Sequence, residues 1–198
     1  ITKVTGVPII ELATRVMLGE RLKDLGYGTG LYPESPYYAV KMPVFSFSKL
    51  TDVDTSLGPE MKSTGEVLGI DQDFNQALLK ALKGVGMEIP KKDSNILLTV
   101  KDADKPEVLP IARSMEDLGM HLYCTKGTYE YLKAHDVNCQ KVNRIAEGSP
   151  SILDMIEIGM FDMVINTPAK DRKHNKDGFT IRRAATERSI PVITAIDT

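Results

Sequence analysis

Apolar positions follow two rhythms along this chain, and the rhythm changes near residue 90. In the first part, Ile9, Leu12, Ala13, Val16 and Met17 recur at helical spacing, so residues 8–21 are read as a helix with Pro8 in its first turn. Gly26 to Pro36 is rich in Gly and Pro and reads as loop. Tyr38, Val40, Met42 and Val44 alternate, so Tyr37 to Phe47 is expected to be one long or bent strand, with Pro43 marking an edge or a bulge. The stretch Leu57 to Gly69 (LGPEMKSTGEVLG) mixes turn formers and charges with Met61, Val67 and Leu68, which predicts a packed, shaped loop. Asp73 with Gln76 three residues on is a capping-box pattern, and Phe74, Ala77, Leu78, Ala81 and Leu82 form the stripe behind it. Gly84 and Gly86 end that helix, and Gly86 to Asp93 reads as a linker.

From Asn95 onward, short apolar runs alternate with helical stripes. Ile96 to Val100 is continuous and apolar, the pattern of a strand buried on both faces. Asp104 and Glu107 form a second capping-box pattern ahead of Val108, Ile111, Ala112, Met115 and Leu118, and Gly119 stops the helix. His121 to Cys124 is the next strand, Thr128 opens a short helix through Leu132, and Cys139 to Val142 is a third strand. Ser149-Pro150 reads as an N-cap with Pro at the first helical position, leading Ile152, Leu153 and Ile156. Met163 to Ile165 is a strand, Asp177 to Arg188 a helix with Ile181, Ala184 and Ala185 inward, and Pro191 to Ile196 the last strand. The fold class is therefore α/β, a doubly wound parallel sheet of about five strands. Its ligand site is expected outside the carboxyl ends of the strands.

Bulk properties narrow the function. The formal net charge is −2, from 25 basic and 27 acidic residues, so no broad positive field is present for nucleic acid or a membrane surface. A composition of 42% hydrophobic and 26% charged residues fits a folded globular chain. No segment is apolar enough to span a bilayer and no signal peptide is visible, so a cytoplasmic location is expected. Cys124 and Cys139 sit among apolar residues and read as reduced core thiols. His121, His135 and His174 lack metal-ligand spacing, and no metal site is expected. The chain opens on Ile1 and stops after a strand-like run, which is the pattern expected of a piece of a longer protein.

Polar residues cluster where the ligand site is expected. Thr99 to Lys105 comes after the first strand of the sheet, Thr125-Lys126-Gly127-Thr128 after the second, Asn143-Arg144 after the third and Asn166-Thr167 after the fourth. Hydroxyls and free backbone N–H groups at a helix start, with basic side chains nearby, make an anion cradle. Lys105, Lys126 and Arg144 each carry charge to neutralise a phosphate. Taken singly, Thr128 also fits a plain helix cap and Thr125 a plain strand end.

These residues carry a resemblance. Cys124-Thr125-Lys126-Gly127-Thr128, Val142-Asn143-Arg144, Val164-Ile165-Asn166-Thr167 and Ile181-Arg182-Arg183 resemble the methylglyoxal-synthase-like regulatory domain of the carbamoyl phosphate synthetase large subunit. Ile1 to Pro8 and Leu57 to Gly69 resemble the end of that family's second ATP-grasp module. The resemblance implies two domains, 1–90 from the C-terminal part of the ATP-grasp module and 91–198 methylglyoxal-synthase-like. It also implies a ligase parent, which makes carbamoyl phosphate from bicarbonate, glutamine-derived ammonia and two ATP with Mg. The products would feed pyrimidine and arginine biosynthesis. Implied partners are the rest of the large subunit, the glutamine amidotransferase small subunit and a nucleotide effector, a uridine nucleotide first. A homo-oligomer is a further option.

Effector binding is carried by the resemblance onto Lys105, Thr125, Thr128, Arg144, Asn166 and Thr167, with Gly127 letting the backbone approach a phosphate. Arg144 stands where many relatives carry Lys, which keeps the charge and changes the hydrogen-bond geometry. Glu66 would border the path of the carbamate intermediate. The ATP-grasp ligands would lie upstream of Ile1, so no catalytic residue, ATP or Mg is expected on this chain. Relatives activated by ornithine carry an acidic residue at the position of Met42, so ornithine activation is not expected, although Asp197-Thr198 resembles another part of that region. The enzyme alternative is a phosphate-handling lyase of the methylglyoxal synthase type. Its carboxylate base would fall at Ser149, with Glu147 displaced from the required place. A purely structural module mediating oligomer contacts is the third option. The basic run Lys170 to Lys176 reads as a solvated loop, or as a lid over the effector.

Overall fold

A computed structural model describes residues 1–46, 59–168 and 172–197, with the backbone alone for 172–176. Two compact units are present, the first formed by Ile1–Val44 and Gly65–Gly86 and the second by the rest of the described residues.

The first unit opens with α1 (Thr2–Thr5) and α2 (Ile9–Met17), Pro8 capping α2 rather than entering it. Of the expected stripe on α2, Leu12 alone is buried. Ile9, Leu12, Ala13 and Val16 border a broad groove shared with Leu22, Leu25 and the segment Gly26 to Pro33. Strand β1 (Tyr38–Val44) pairs antiparallel with β2 (Gly65–Asp71). The segment from Gly65 is thus a strand, where a loop was expected. Its glycines and charges hide the signal, because its burial comes from a close helix rather than from large apolar side chains. Pro43 is tolerated because a two-stranded ribbon leaves each strand an open edge. Met42 lies opposite Val67 on the ribbon face that meets α3 (Phe74–Gly84).

Gly69 explains how α3 approaches that ribbon. A Cβ there would land on the Ala77 carbonyl oxygen and 2.7 Å from the Ala81 nitrogen, and both alanines are fully buried. Asp73 caps α3 by accepting from the Gln76 N–H at 2.9 Å. The return half of the expected capping box is replaced, since the Asp73 N–H donates to Asp71 Oδ1. Asp71 also pairs with Lys80 at 2.7 Å, and that partner holds its carboxyl below the usual range.

The second unit is a parallel sheet in the order β5-β4-β3-β6-β7. Its strands are β3 (Asn95–Thr99), β4 (His121–Thr125), β5 (Gln140–Val142), β6 (Met163–Asn166) and β7 (Val192–Ile193). The connecting helices are α4 (Lys105–Asp117), α5 (Lys126–Lys133), α6 (Ile152–Glu157) and α7 (Arg172–Glu187). Successive strand residues point to opposite faces. Ile96, Leu98, Leu122, Cys124, Met163 and Ile165 join Val108, Ala112 and Leu132 of α4 and α5 in one core. Leu97, Tyr123 and Val164 join Ile152, Ile156, Ile181 and Ala185 of α6 and α7 in another. Helices therefore cover both faces, as the continuous apolar strands predict.

Local chemistry differs from expectation in four places. Asp104 makes no capping bond, because its carboxylate pairs with Lys101 at 3.2 Å. Leu118, at the end of the α4 stripe, is exposed. Ser151, not Ser149, caps α6, in a reciprocal box with Asp154, and the Ser149-Pro150 bond is cis. Helix α7 begins at Arg172, so the basic run is helical from there, while Lys170 lies outside the described residues, as do Phe47, Leu57, Gly58 and Thr198.

Candidate functional site

The strand order reverses between β3 and β6, and a crevice opens outside the carboxyl ends at such a reversal. A cavity of about 250 Å³ lies there. Residues at or just past the strand ends build its wall: Thr99 to Asp102 after β3, Thr125 at the end of β4, Arg144 and Ile145 after β5, Asn166 and Thr167 at β6. Helix α7 closes it with Asp177, Gly178 and Ile181.

Among the described residues, the buried polar ones are Thr125, Thr128, Ser151, Asn166 and Thr167. Ser151 is used as a cap, but the other four are residues that the sequence pattern singles out, and they gather at the strand ends. Burying a hydroxyl or an amide costs stability unless it is hydrogen-bonded. Thr167 Oγ1 meets this by accepting from the Lys101 N–H at 2.9 Å. Asn166 Nδ2 donates to the Thr99 carbonyl at 3.3 Å, and Arg182 Nη1 donates to Asn166 Oδ1. Thr128 differs. It stands at the third position of α5, behind the cap residue Thr125, and its Oγ1 is buried with no hydrogen-bond partner. The plain-cap reading of Thr128 therefore does not hold.

Lys105 meets Gly127, the residue before Thr128 in the chain. A Cβ on Gly127 would come 3.2 Å from Lys105 Nζ. Lys105 pairs with Asp102 at 2.7 Å, yet the lysine side chain is 13% exposed and the aspartate 94%. An ion pair with so exposed a carboxylate is weak, so a competing anion can take its place at modest cost. Lys105, Gly127 and Thr128 do not line the 250 Å³ cavity, but Thr125 and Asp102 do, and these connect the two groups.

Arg144 lines the cavity, and its backbone N–H donates to Glu147 Oε2 at 2.9 Å. Glu147 is thereby turned onto its own loop. Glu66 lies elsewhere, on the outer side of β2, half its side chain or more in solvent and paired with Lys41 at 2.6 Å. That ammonium lowers the Glu66 carboxyl below its ordinary value. Among the described residues no three His, Cys, Asp or Glu side chains gather as metal ligands, and none of the helices is long and apolar enough to cross a membrane.

Lys101, Asp102, Asp177, Gly178 and Arg182 were not assigned to the site, although the first two fall in the Thr99 to Lys105 run and Arg182 in the Ile181-Arg182-Arg183 motif. The charged pair one residue past β3 is a readable signal for the first two. Nothing local gives Arg182 its role, because its partner is sixteen residues away in sequence. Its guanidinium is half-buried, and burial pulls its pKa down from the ordinary arginine value.

Comparison with known proteins finds relatives over the whole chain. Residues 107–194 match the family model of the MGS-like domain. The carbamoyl phosphate synthase large chain of Agathobacter rectalis is 51% identical over 199 aligned positions, covering 100% of this chain and 18% of that one. The large chain of Clostridium perfringens (strain 13 / Type A) is 49% identical over 198, covering 100% and 19%. A crystal structure of methylglyoxal synthase from Elizabethkingia anophelis NUHP1 covers 53% of this chain and 73% of that one, at 17% identity and a TM-score of 0.45. The chain spans about a fifth of the length of the curated relatives it matches, at their C-terminal end. It belongs to the carbamoyl phosphate synthase large-chain family and carries an MGS-like domain.

Proposed function

We propose that this chain is the regulatory end of a carbamoyl phosphate synthase large chain, and that the strand-end crevice binds a nucleotide effector, a uridine nucleotide first. The observation that carries this reading is the buried, unpartnered hydroxyl of Thr128 at the start of α5. A buried hydroxyl without a partner is costly, and a ligand oxygen supplies the missing bond. The phosphate would sit at the N-terminal turn of α5, where helix N–H groups favour negative charge. Lys105 would leave the exposed Asp102 for it, and Gly127 would let it approach the backbone. Thr125 would link this end to the cavity, where Arg144, Asn166, Thr167 and Asp177 would meet the rest of the nucleotide.

The parent would be the ATP-dependent ligase that joins bicarbonate, glutamine-derived ammonia and two ATP into carbamoyl phosphate for pyrimidine and arginine synthesis. Its ATP and Mg would be held by residues of the rest of the large chain, as the resemblance implies. The remainder of the large chain and a glutamine amidotransferase subunit would be its partners, in the cytoplasm. Glu66 would border the path of the carbamate, and Met42 would leave ornithine without a charged partner. Control would work by linkage: an effector that prefers one state of the parent biases substrate affinity to the same extent.

Calorimetric titration with uridine monophosphate tests the pocket. Thr128→Val should weaken binding about tenfold, the worth of one hydrogen bond to a charged oxygen. Equal affinity for the two proteins would remove Thr128 from the site. Ser149 stands where the lyase alternative needs its carboxylate, and Glu147 accepts from the Arg144 N–H, which disfavours that alternative.

A further inference from the structure

Asn166 is held from two sides. Its Oδ1 receives Arg182 Nη1, and its Nδ2 donates to the Thr99 carbonyl. A guanidinium has only donors, so the face of the amide that meets Arg182 must be the oxygen. Nδ2 carries two hydrogens, and Thr99 takes one. The other has no partner among the described residues, and the buried Asn166 contributes to the cavity lining. The amide therefore offers that space a donor. Without Arg182 it could turn over and offer an acceptor.

Helix α7 is shaped around this pair. Gly178 is one turn before Arg182, inside a helix of sixteen residues. Glycine in a helix interior costs about 1 kcal/mol against alanine. A Cβ at Gly178 would come 3.0 Å from Arg182 Nη1 and 3.3 Å from Asn166 Oδ1. The helix gives up its better residue where the Arg182–Asn166 contact needs room. No carboxylate pairs with Arg182 among the described residues, so no salt bridge accounts for its position.

We propose that Arg182 is a positioning residue for this pocket, which locks the Asn166 amide so that the wall opposite the phosphate end presents a hydrogen-bond donor to a ligand acceptor. The proposal rests on the nucleotide-effector reading for its consequence in binding. The locking itself does not depend on any ligand.

Two measurements separate these layers. The first is made on the ligand-free chain, by recording the ¹⁵N side-chain amide resonances of Asn166 in wild type, Arg182→Met and Arg182→Lys. Wild type should give one slowly exchanging pair of amide protons, Arg182→Met a shifted and broadened pair, and Arg182→Lys a pair close to wild type. An unchanged Asn166 signal in Arg182→Met overturns the proposal, whatever the pocket binds. The second titrates inorganic phosphate and uridine monophosphate separately. Arg182→Met should lose about tenfold in affinity for the nucleotide and nothing for phosphate, whose site is on α5. Equal losses for both probes, with a lowered melting temperature, would mean a general structural role and overturn it. If wild type binds neither probe, the effector reading fails, and the resonances alone then decide for or against the lock.

Discussion

Lys105 Nζ lies 3.2 Å from the point that a Cβ on Gly127 would occupy. The obstacle would be the tip of a flexible side chain, so alanine at 127 can be accommodated by moving the lysine aside. Alanine is also the better helix former. Gly127→Ala should therefore leave the melting temperature unchanged or slightly raised, while phosphate binds about threefold to tenfold more weakly as the ammonium is displaced. Thermal unfolding and calorimetry on the same sample check both halves. A loss of stability with intact phosphate binding would contradict the arrangement.

Thr128→Val should have a second effect besides its loss of nucleotide affinity. It replaces a buried hydroxyl that has no partner by a methyl of similar shape. The ligand-free protein should gain about 1 kcal/mol, because the desolvation cost of that hydroxyl disappears. Urea unfolding without ligand reads this directly. A destabilised valine variant would show that the hydroxyl has a structural partner.

At Gly69 the obstacle is backbone, which cannot step aside. A methyl there would collide with the Ala77 carbonyl and crowd Ala81. Gly69→Ala should cost about 3 kcal/mol, the upper part of the range for overpacking. Gly65→Ala, whose Cβ would meet only Val44 at 3.8 Å, is the control and should be near neutral. Denaturant melts of the two variants compare them.

The cap of α6 predicts a pH dependence. The Ser151 N–H and the hydroxyls of Ser149 and Ser151 hold the Asp154 carboxyl below its usual range. A carboxyl depressed in the folded state contributes stability that is fully present above the unfolded value of about 3.9 and is lost as pH falls through the folded value. Asp154→Asn should be less stable than wild type at neutral pH and should converge with it as pH falls below about 4 and through the folded value. Parallel acid-unfolding curves for the two proteins would argue that the carboxylate plays no part.

Much of the second unit was readable because its strands are buried on both faces. Ile96 to Val100 needs no alternation to be recognised, and the hydroxyls and cations just past each strand lead to the crevice through the topology alone. The first unit was harder. Strand β2 carries Gly65, Glu66 and Gly69, which are poor strand residues, and its register comes from contact with α3 rather than from its own pattern. Caps were misassigned where a nearer partner competes, as Lys101 does for Asp104. Arg182 was named as part of a motif but given no role, because its role comes from Asn166 across the fold, and spacing along one helix cannot register that.

The split of the apolar interior into two layers has an outcome for how this pocket can change over generations. Lys105 and Thr128 are borne by helices seated on one side of the sheet, while Gly178, Ile181 and Arg182 ride on the other. Repacking around Leu97, Ile156 or Ala185 can shift the α7 wall with little disturbance to Leu98, Val108 or Leu132. Descendants of this domain can thus trade one small molecule for another while leaving the anchorage of its charged end alone.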